Sequence, residues 1–197
     1  MNKKVLLGMS GGVDSSVSAV LLKERGYDVT GVTLNLFPCT SCCSYIDVKS
    51  LCRKIGVEHY ILDGKDDFKK YVIDDFIQSY DNCLTPNPCI ECNKYMKFGY
   101  MYKKAKELGC DYVATGHYAK VEYDEKYGKY VLRKSHAGRK DQSYVLWNIP
   151  KDMLEHVIFP LADFESKEKI REIAREHELP VANKPDSEDI CFIPDGD

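Results

Sequence analysis

What this 197-residue chain lacks removes several classes of function. No apolar run approaches the length of a bilayer span, and nothing resembles a secretory leader, so the expectation is a cytoplasmic protein. Excess positive charge is missing as well. The 28 Lys and Arg face 31 Asp and Glu, a net charge of -3, so any contact with nucleic acid must come from a local patch. Internal repeats and low-complexity linkers are absent, and the length suits one α/β domain with a sizeable core.

Cysteine is plentiful instead. Nine are present: Cys39, Cys42, Cys43, Cys52, Cys83, Cys89, Cys92, Cys110 and Cys191. An odd number without an export signal argues against a disulfide framework, and clustered thiols in a reducing compartment point to metal or sulfur chemistry. Cys52 falls on the apolar face of a helical pattern with Val48, Leu51 and Ile55, and reads as a small core residue.

The stretch Ser10-Gly11-Gly12-Val13-Asp14-Ser15-Ser16 organises the chain. Before it, Lys4-Val5-Leu6-Leu7-Gly8-Met9 reads as a buried strand; after it, Val17, Val20 and Leu21 mark an amphipathic helix. Backbone amides at a helix N-terminus are free, the helix dipole favours an anion there, and glycine lets a phosphate approach. The lysine of the G-x-x-x-x-G-K-[ST] loop is missing, which excludes that phosphate loop. A glycine turn of an ordinary α/β fold is the plainer alternative.

Val29 to Phe37 predicts a second strand and Glu58 to Leu62 a third. Phe68, Val72 and Phe76 mark one helix face. The prolines in Cys83-Leu84-Thr85-Pro86-Asn87-Pro88-Cys89-Ile90-Glu91-Cys92-Asn93-Lys94 are expected to keep that segment extended and out of a helix. Phe98, Met101, Tyr102, Ala105 and Leu108 resume helical spacing up to Gly109. A strand over Asp111 to Ala114, a hairpin over Val121–Tyr123 and Lys129–Leu132, and a helix from Ser166 follow. Alternating strands and helices predict an α/β fold: a mostly parallel twisted sheet with helices on both faces. Ligands of such sheets bind at the carboxyl ends of strands, so the loops at Ser10–Ser15, Leu34–Cys43 and Thr115–His117 share one edge.

Cys89-x-x-Cys92 can be a metal clip, a redox pair or a catalytic cysteine with a helper. A zinc knuckle would need a second pair, which Cys39-x-x-Cys42 could supply. Cys191 lies in an aperiodic acidic stretch that gives it no core role. Lys134, Arg139 and Lys140 can bind phosphate or form an ordinary solvated charge run, and His136 is equally open. Asp14 suits a magnesium or pyrophosphate-side role, since magnesium prefers carboxylate and phosphate oxygens.

The loop resembles the pyrophosphatase loop (PP-loop) of enzymes that split ATP into AMP and pyrophosphate. Further motifs narrow this: Gly8-Met9-Ser10-Gly11-Gly12-Val13-Asp14-Ser15-Ser16, Thr85-Pro86-Asn87-Pro88-x-x-x-Cys92-Asn93-Lys94, Ala114-Thr115-Gly116-His117-Tyr118-Ala119, Lys140-Asp141-Gln142-Ser143-Tyr144 and Asp186-Ser187-x-x-Ile190-Cys191-Phe192. In this order they are similar to the tRNA-specific 2-thiouridylase family, over nearly the whole chain. The resemblance implies a single PP-loop catalytic domain over 1–197, with 135–197 as a tRNA-facing extension and without the family's C-terminal connecting and β-barrel domains. It implies ATP, with Mg2+, on Gly8, Met9, Ser10, Gly11, Gly12, Val13, Asp14 and Ser15, and with Leu34 and Gly116 lining the nucleotide. The C2 oxygen of a wobble uridine would be adenylated and replaced by sulfur, with Cys191 as persulfide carrier and Cys92 as its partner. Asn87, Pro88 and Cys89 would approach the base, and His117, Lys140, Asp141 and Gln142 would lie against the tRNA.

Many members of that family carry aspartate at the position of Cys89. Its replacement gives three catalytic thiolates, Cys89, Cys92 and Cys191, which suit a [4Fe–4S] cluster with one open iron as an alternative to a persulfide. The sulfur donor, a persulfide carrier or sulfide, stays open. Other readings are a PP-loop enzyme acting on a small carbonyl compound and a non-catalytic nucleotide- or metal-binding sulfur carrier.

Overall fold

Seven strands, five helical runs and three short 3-10 turns make up the regular structure of the computed structural model, which describes residues 2–37, 45–186 and 190–193. The strands are β1 (Lys4–Gly8), β2 (Asp28–Asn35), β3 (Glu58–Asp63), β4 (Tyr112–Ala114), β5 (Ala119–Asp124), β6 (Lys129–Lys134) and β7 (Val157–Ile158). Five of them form one parallel sheet in the order β3-β2-β1-β4-β7, while β5 and β6 pair antiparallel as a separate hairpin. Register is set by Lys4 opposite Asp28, Thr30 opposite Glu58, Val5 opposite Tyr112 and Val113 opposite Val157.

The central strand shows why the sheet is covered on both faces. Successive side chains of a strand point to opposite sides. Val5 and Leu7 enter a core with Ala19 and Leu22 of α1 (Val13–Glu24) and Val48 and Cys52 of α2 (Tyr45–Ile55). Leu6, between them, packs instead with Phe98, Met101 and Ala105. The parallel sheet with helices on both faces is therefore as expected, and Cys52, fully buried, is the core residue its spacing suggested. Burial pushes the Cys52 thiol up to about 11, which keeps it protonated and inert.

Two details differ from the sequence reading. The edge strand β7 is two residues long and carries too little pattern to be seen. More important, the segment expected to stay extended becomes helical at Pro88: a helical run, α4, spans 88–107, with wide π-type turns over Cys92–Tyr100. Proline breaks a helix interior but suits its first position, where the missing N–H has no partner anyway and its φ is already helical. Asn87 caps the helix, its Oδ1 accepting from the Cys89 N–H at 3.2 Å. The earlier run α3, over 65–81, buries Phe68 and Val72 as predicted. The last helix, α5 (Lys167–Glu176), buries Ile170 and Ala174. Among the described residues no helix is long and apolar enough to cross a membrane.

Candidate functional site

Strand order reverses between β1 and β4, and a crevice at the carboxyl ends of such strands is the usual ligand site of an open α/β sheet. The loop between β1 and α1 occupies it. Gly11 has φ +75° and is buried, and a side chain there would also meet Val48 Cγ2 at 2.9 Å. Gly12 takes the N-cap position with extended dihedrals and offers no side chain to cap the helix. Ser15 and Ser16 turn their hydroxyls back to the Gly12 carbonyl, at 3.2 and 2.7 Å, rather than toward the first-turn amides. Ser10 Oγ lies 3.2 Å from Ser15 Oγ. The result is an uncapped helix N-terminus of the kind that receives an anion.

The loop after β4 presses directly on this one. A Cβ at Gly116 would stand 2.9 Å from both the Asp14 carbonyl carbon and the Ser15 nitrogen, so only glycine allows the two backbones to meet. Leu34, near the end of β2, is partly buried and Gly8 ends β1. The residues expected around a nucleotide, Gly8, Met9, Ser10, Gly11, Gly12, Val13, Asp14, Ser15, Leu34 and Gly116, thus share one sheet edge.

Asp14 is already engaged. Its Oδ1 accepts from the Tyr118 hydroxyl at 2.7 Å and its Oδ2 from the Lys167 ammonium at 2.8 Å. Burial raises the Tyr118 phenol far above its ordinary value, and the Asp14 charge adds to the shift, so Tyr118 remains a donor. Both carboxylate oxygens therefore have partners other than a metal, and the described residues hold no group of His, Cys, Asp and Glu arranged for an ion at this place.

The thiols gather on the same side of the sheet. Cys89 is exposed on the first turn of α4, while Cys92, one turn on, is buried with Phe68, Val72 and Met96. Leu34 packs against that cluster, and so does Phe192, whose ring meets Phe68 at 5.7 Å and Phe76 at 5.4 Å. Burial raises the Cys92 thiol, Lys97 opposes the rise, and Cys89 adds to it. Cys191 presents surface to solvent, yet its sulfur lies among enough protein to be pushed up to about 12, by burial first and then by the charges of Cys92 and Cys89. Cys92 and Cys191 thus both lie in the electrostatic neighbourhood of Cys89, and both feel the Lys97 cation. They do not form a metal-holding group, so this donor set as arranged does not fit the cluster anticipated from the sequence. Cys39, Cys42 and Cys43 lie outside the described residues.

His117 follows β4 and packs between Phe98 and Phe159. Its Nδ1 is 2.7 Å from Thr115 Oγ1 and its Nε2 is 3.4 Å from the Lys97 ammonium. An ammonium can only donate, so Nε2 accepts and the proton sits on Nδ1. Burial, then the Lys97 charge, lowers its pKa well below the usual histidine value and keeps the ring neutral.

Of the remaining predicted residues, Asn87 and Pro88 directly precede Cys89, and Lys140, Asp141 and Gln142 lie on a later segment. Asn87 is exposed and Pro88 buried. Gln142 Oε1 accepts from the Tyr118 N–H at 3.0 Å, tying its segment to the neighbour of Asp14. Asp141 is spent locally, accepting from the Ser135 N–H at 2.7 Å and the Ser143 hydroxyl at 2.6 Å. Lys140 pairs with Asp186 at 3.2 Å.

This edge, with its glycine-lined loop and its thiols, can be set against known proteins. The sequence model of the family described as "tRNA methyl transferase HUP domain" matches residues 3–195. The chain belongs to that family. Within reach of the HUP domain family, the tRNA-specific 2-thiouridylase MnmA of Clostridioides difficile is 52% identical over 207 residues, covering 100% of this chain and 57% of the relative. The same-named protein of Clostridium acetobutylicum is 51% identical over 208 residues, covering 100% and 58%. The chain therefore spans little more than half the length of the curated relatives it matches. Among solved structures, a 4-thiouridine synthetase in complex with RNA and bound ATP superposes with a TM-score of 0.66 at 23% identity, over 96% of this chain and 45% of that one. That likeness shows a shared fold, the parallel sheet with helices on both faces.

Several residues of the site carried no signal in the sequence. Lys97 sits mid-helix in an ordinary amphipathic pattern, and only the fold brings it to His117. Lys167 reads as one of three charged residues opening a polar helix, 153 positions from the Asp14 it contacts. Tyr118 lay inside a quoted motif, but nothing in spacing tells that its hydroxyl meets Asp14.

Proposed function

We propose that this domain activates and thiolates a tRNA uridine at C2, with ATP as the activating substrate. The observation that carries the reading is the link from the thiols through Lys97, 3.4 Å from His117, to the adjacent Gly116, which packs on the uncapped, glycine-lined helix N-terminus. The family description speaks of methyl transfer and the relatives' names of thiolation. Methyl transfer has no base oxygen for ATP to activate, whereas sulfur insertion needs both an activated oxygen and a sulfur nucleophile.

On this reading the phosphates of ATP lie over the Gly11–Ser15 backbone, and the first-turn amides of α1 bind the departing pyrophosphate. Mg2+ accompanies the phosphates, and no step is assigned to it. The uridine C2 oxygen bonds to the α-phosphorus as pyrophosphate leaves. The terminal sulfur of a Cys191 persulfide then attacks C2 and AMP departs with the oxygen. Cys92 attacks the inner sulfur of Cys191, which releases 2-thiouridine and leaves a Cys92–Cys191 disulfide for an external thiol to reduce. Lys97 is the cation that favours the thiolates in an otherwise unfavourable pocket. The catalytic domain comprises 1–197, residues 135–197 face the tRNA through Lys140, and Asn87, Pro88 and Cys89 approach the base, in a protein of the cytoplasm. The persulfide sulfur comes from a persulfide carrier, whose outer sulfur bonds to the Cys191 thiolate as the carrier's own thiolate leaves; sulfide as donor belongs to the cluster alternative.

The test is nucleoside analysis of tRNA after incubation with the protein, ATP and a sulfur source. Appearance of 2-thiouridine with AMP and pyrophosphate supports the reading. AMP formation on small carbonyl acids without tRNA would favour the small-substrate enzyme, and no AMP with any tRNA would favour a sulfur carrier. Anaerobic purification separates the sulfur routes: iron-free protein that thiolates uses the persulfide, and stoichiometric iron and sulfide would replace it with the cluster.

A further inference from the structure

Residues 182–186, shortly before Cys191 in the chain, do not lie free on the surface. Arg171 of α5 donates to the carbonyls of Ala182 at 2.6 Å and Lys184 at 3.0 Å. Lys184 reaches across to the Gly11 carbonyl in the ATP loop at 3.0 Å. Asp186 then meets three cations: Lys167 at 2.5 Å, Lys140 at 3.2 Å and Arg171 at 3.4 Å. Lys167 is the residue that also holds Asp14, and its side chain is only 15% exposed. A carboxylate, a half-buried lysine and a second carboxylate thus form a bridge from the first turn of α1 to a position five residues before Cys191. On the far side of Cys191 the chain is fixed by the Phe192 ring against Phe68 and Phe76.

We propose that Asp186, through Lys167, is a positioning residue that sets Cys191 relative to the ATP loop. Neither side chain touches the reacting atoms. Because Lys167 is shared, the cation that orients the ATP-loop carboxylate also orients the sulfur-bearing segment, so the place of bond activation and the place of sulfur delivery have one common reference. The exposed pairs elsewhere on the surface, such as Lys69 with Asp74, have no such consequence. Asp186 also meets Lys140, on the face assigned to tRNA, which gives the bridge a contact with the third component of the reaction. The role in catalysis rests on the thiolation reading, but the positioning of Cys191 does not require it.

The experiment compares the iodoacetamide alkylation rates of Cys191 and Cys89, measured by peptide mass spectrometry in the full chain. Cys89 sits on the capped turn of α4 and serves as the internal reference. Asp186→Asn and, separately, Lys167→Gln are expected to raise the Cys191/Cys89 rate ratio about threefold or more as the sulfur leaves its crowded setting, and Asp186→Glu is expected to return the ratio toward wild type. An unchanged ratio in both variants overturns the proposal. So does a parallel rise at both cysteines with a lowered Tm, which would mark general loosening. In the thiolation assay, Asp186→Asn should lower kcat about tenfold with little change in the KM for ATP; a change confined to KM contradicts the proposal. Wild-type protein that makes no 2-thiouridine would defeat the functional reading and leave the alkylation result standing.

Discussion

Around the ATP loop the chain is held by its own backbone; around the cysteines it is held by side chains. Gly116 touches Asp14 and Ser15 main-chain atoms, the strands beside it are hydrogen-bonded in fixed register, and the serine hydroxyls close on Gly12. Cys92 and Cys191 instead depend on an aromatic cluster with Phe192 and on the ion bridge through Asp186. Backbone packing tolerates almost no substitution, while side-chain packing can give way locally. The first arrangement suits a rigid cradle for a polyanion. On the proposed reading, the second suits a segment whose sulfur is loaded by a donor and then brought to a base.

The sharpest way to break this comparison is Gly116→Val. Its Cβ would collide with backbone, so the two loops must separate, and ATP affinity should fall by about a hundredfold or more, ~2.7 kcal/mol, by calorimetry. Retained affinity would mean the cradle is not defined by that contact. Phe192→Ala probes the other region. Loss of its contacts to Phe68 and Phe76 should cost about 1–2 kcal/mol of stability, less than for a fully buried ring, and should depress thiolation while ATP binding holds. Equal losses in both would erase the distinction.

A smaller effect comes from His117. The folded protein keeps it neutral, with a pKa below the usual value, whereas the unfolded chain takes up a proton near pH 6.5. Unfolded protein therefore binds more protons below that pH, and stability is complete above it and falls as the pH drops through 6.5 toward the folded value. His59, also lowered by burial and by Lys49, adds to the same slope. His117→Gln should flatten the slope of Tm between about pH 5 and 6.5, and an unaltered slope would show that His117 is not held neutral. The smallest effect is expected for Lys69→Ala, which removes an exposed pair with Asp74 and should change stability by no more than about 0.5 kcal/mol.

Much of the cradle was legible because it is local. The strand, the glycines and the helix that follow one another from Lys4 to Glu24 each carry their own pattern, and Val48, Leu51 and Cys52 declared their face by helical spacing. Pro88 was misread because proline has opposite meanings at the first position of a helix and in its interior, and only the Asn87 cap distinguishes them. The bridge from Asp14 to Lys167 to Asp186 was out of reach, since a contact spanning 153 positions leaves no periodic trace and a lysine opening a polar helix looks like any solvated charge.

On the proposed reading, activation and sulfur delivery reside in separate parts of one site. Cys191→Ser tests it most directly, with tRNA-dependent pyrophosphate release and 2-thiouridine measured in the same reaction. Pyrophosphate release is expected to continue while 2-thiouridine disappears. Persisting 2-thiouridine, or loss of both signals together in a folded protein that still binds ATP, would contradict it.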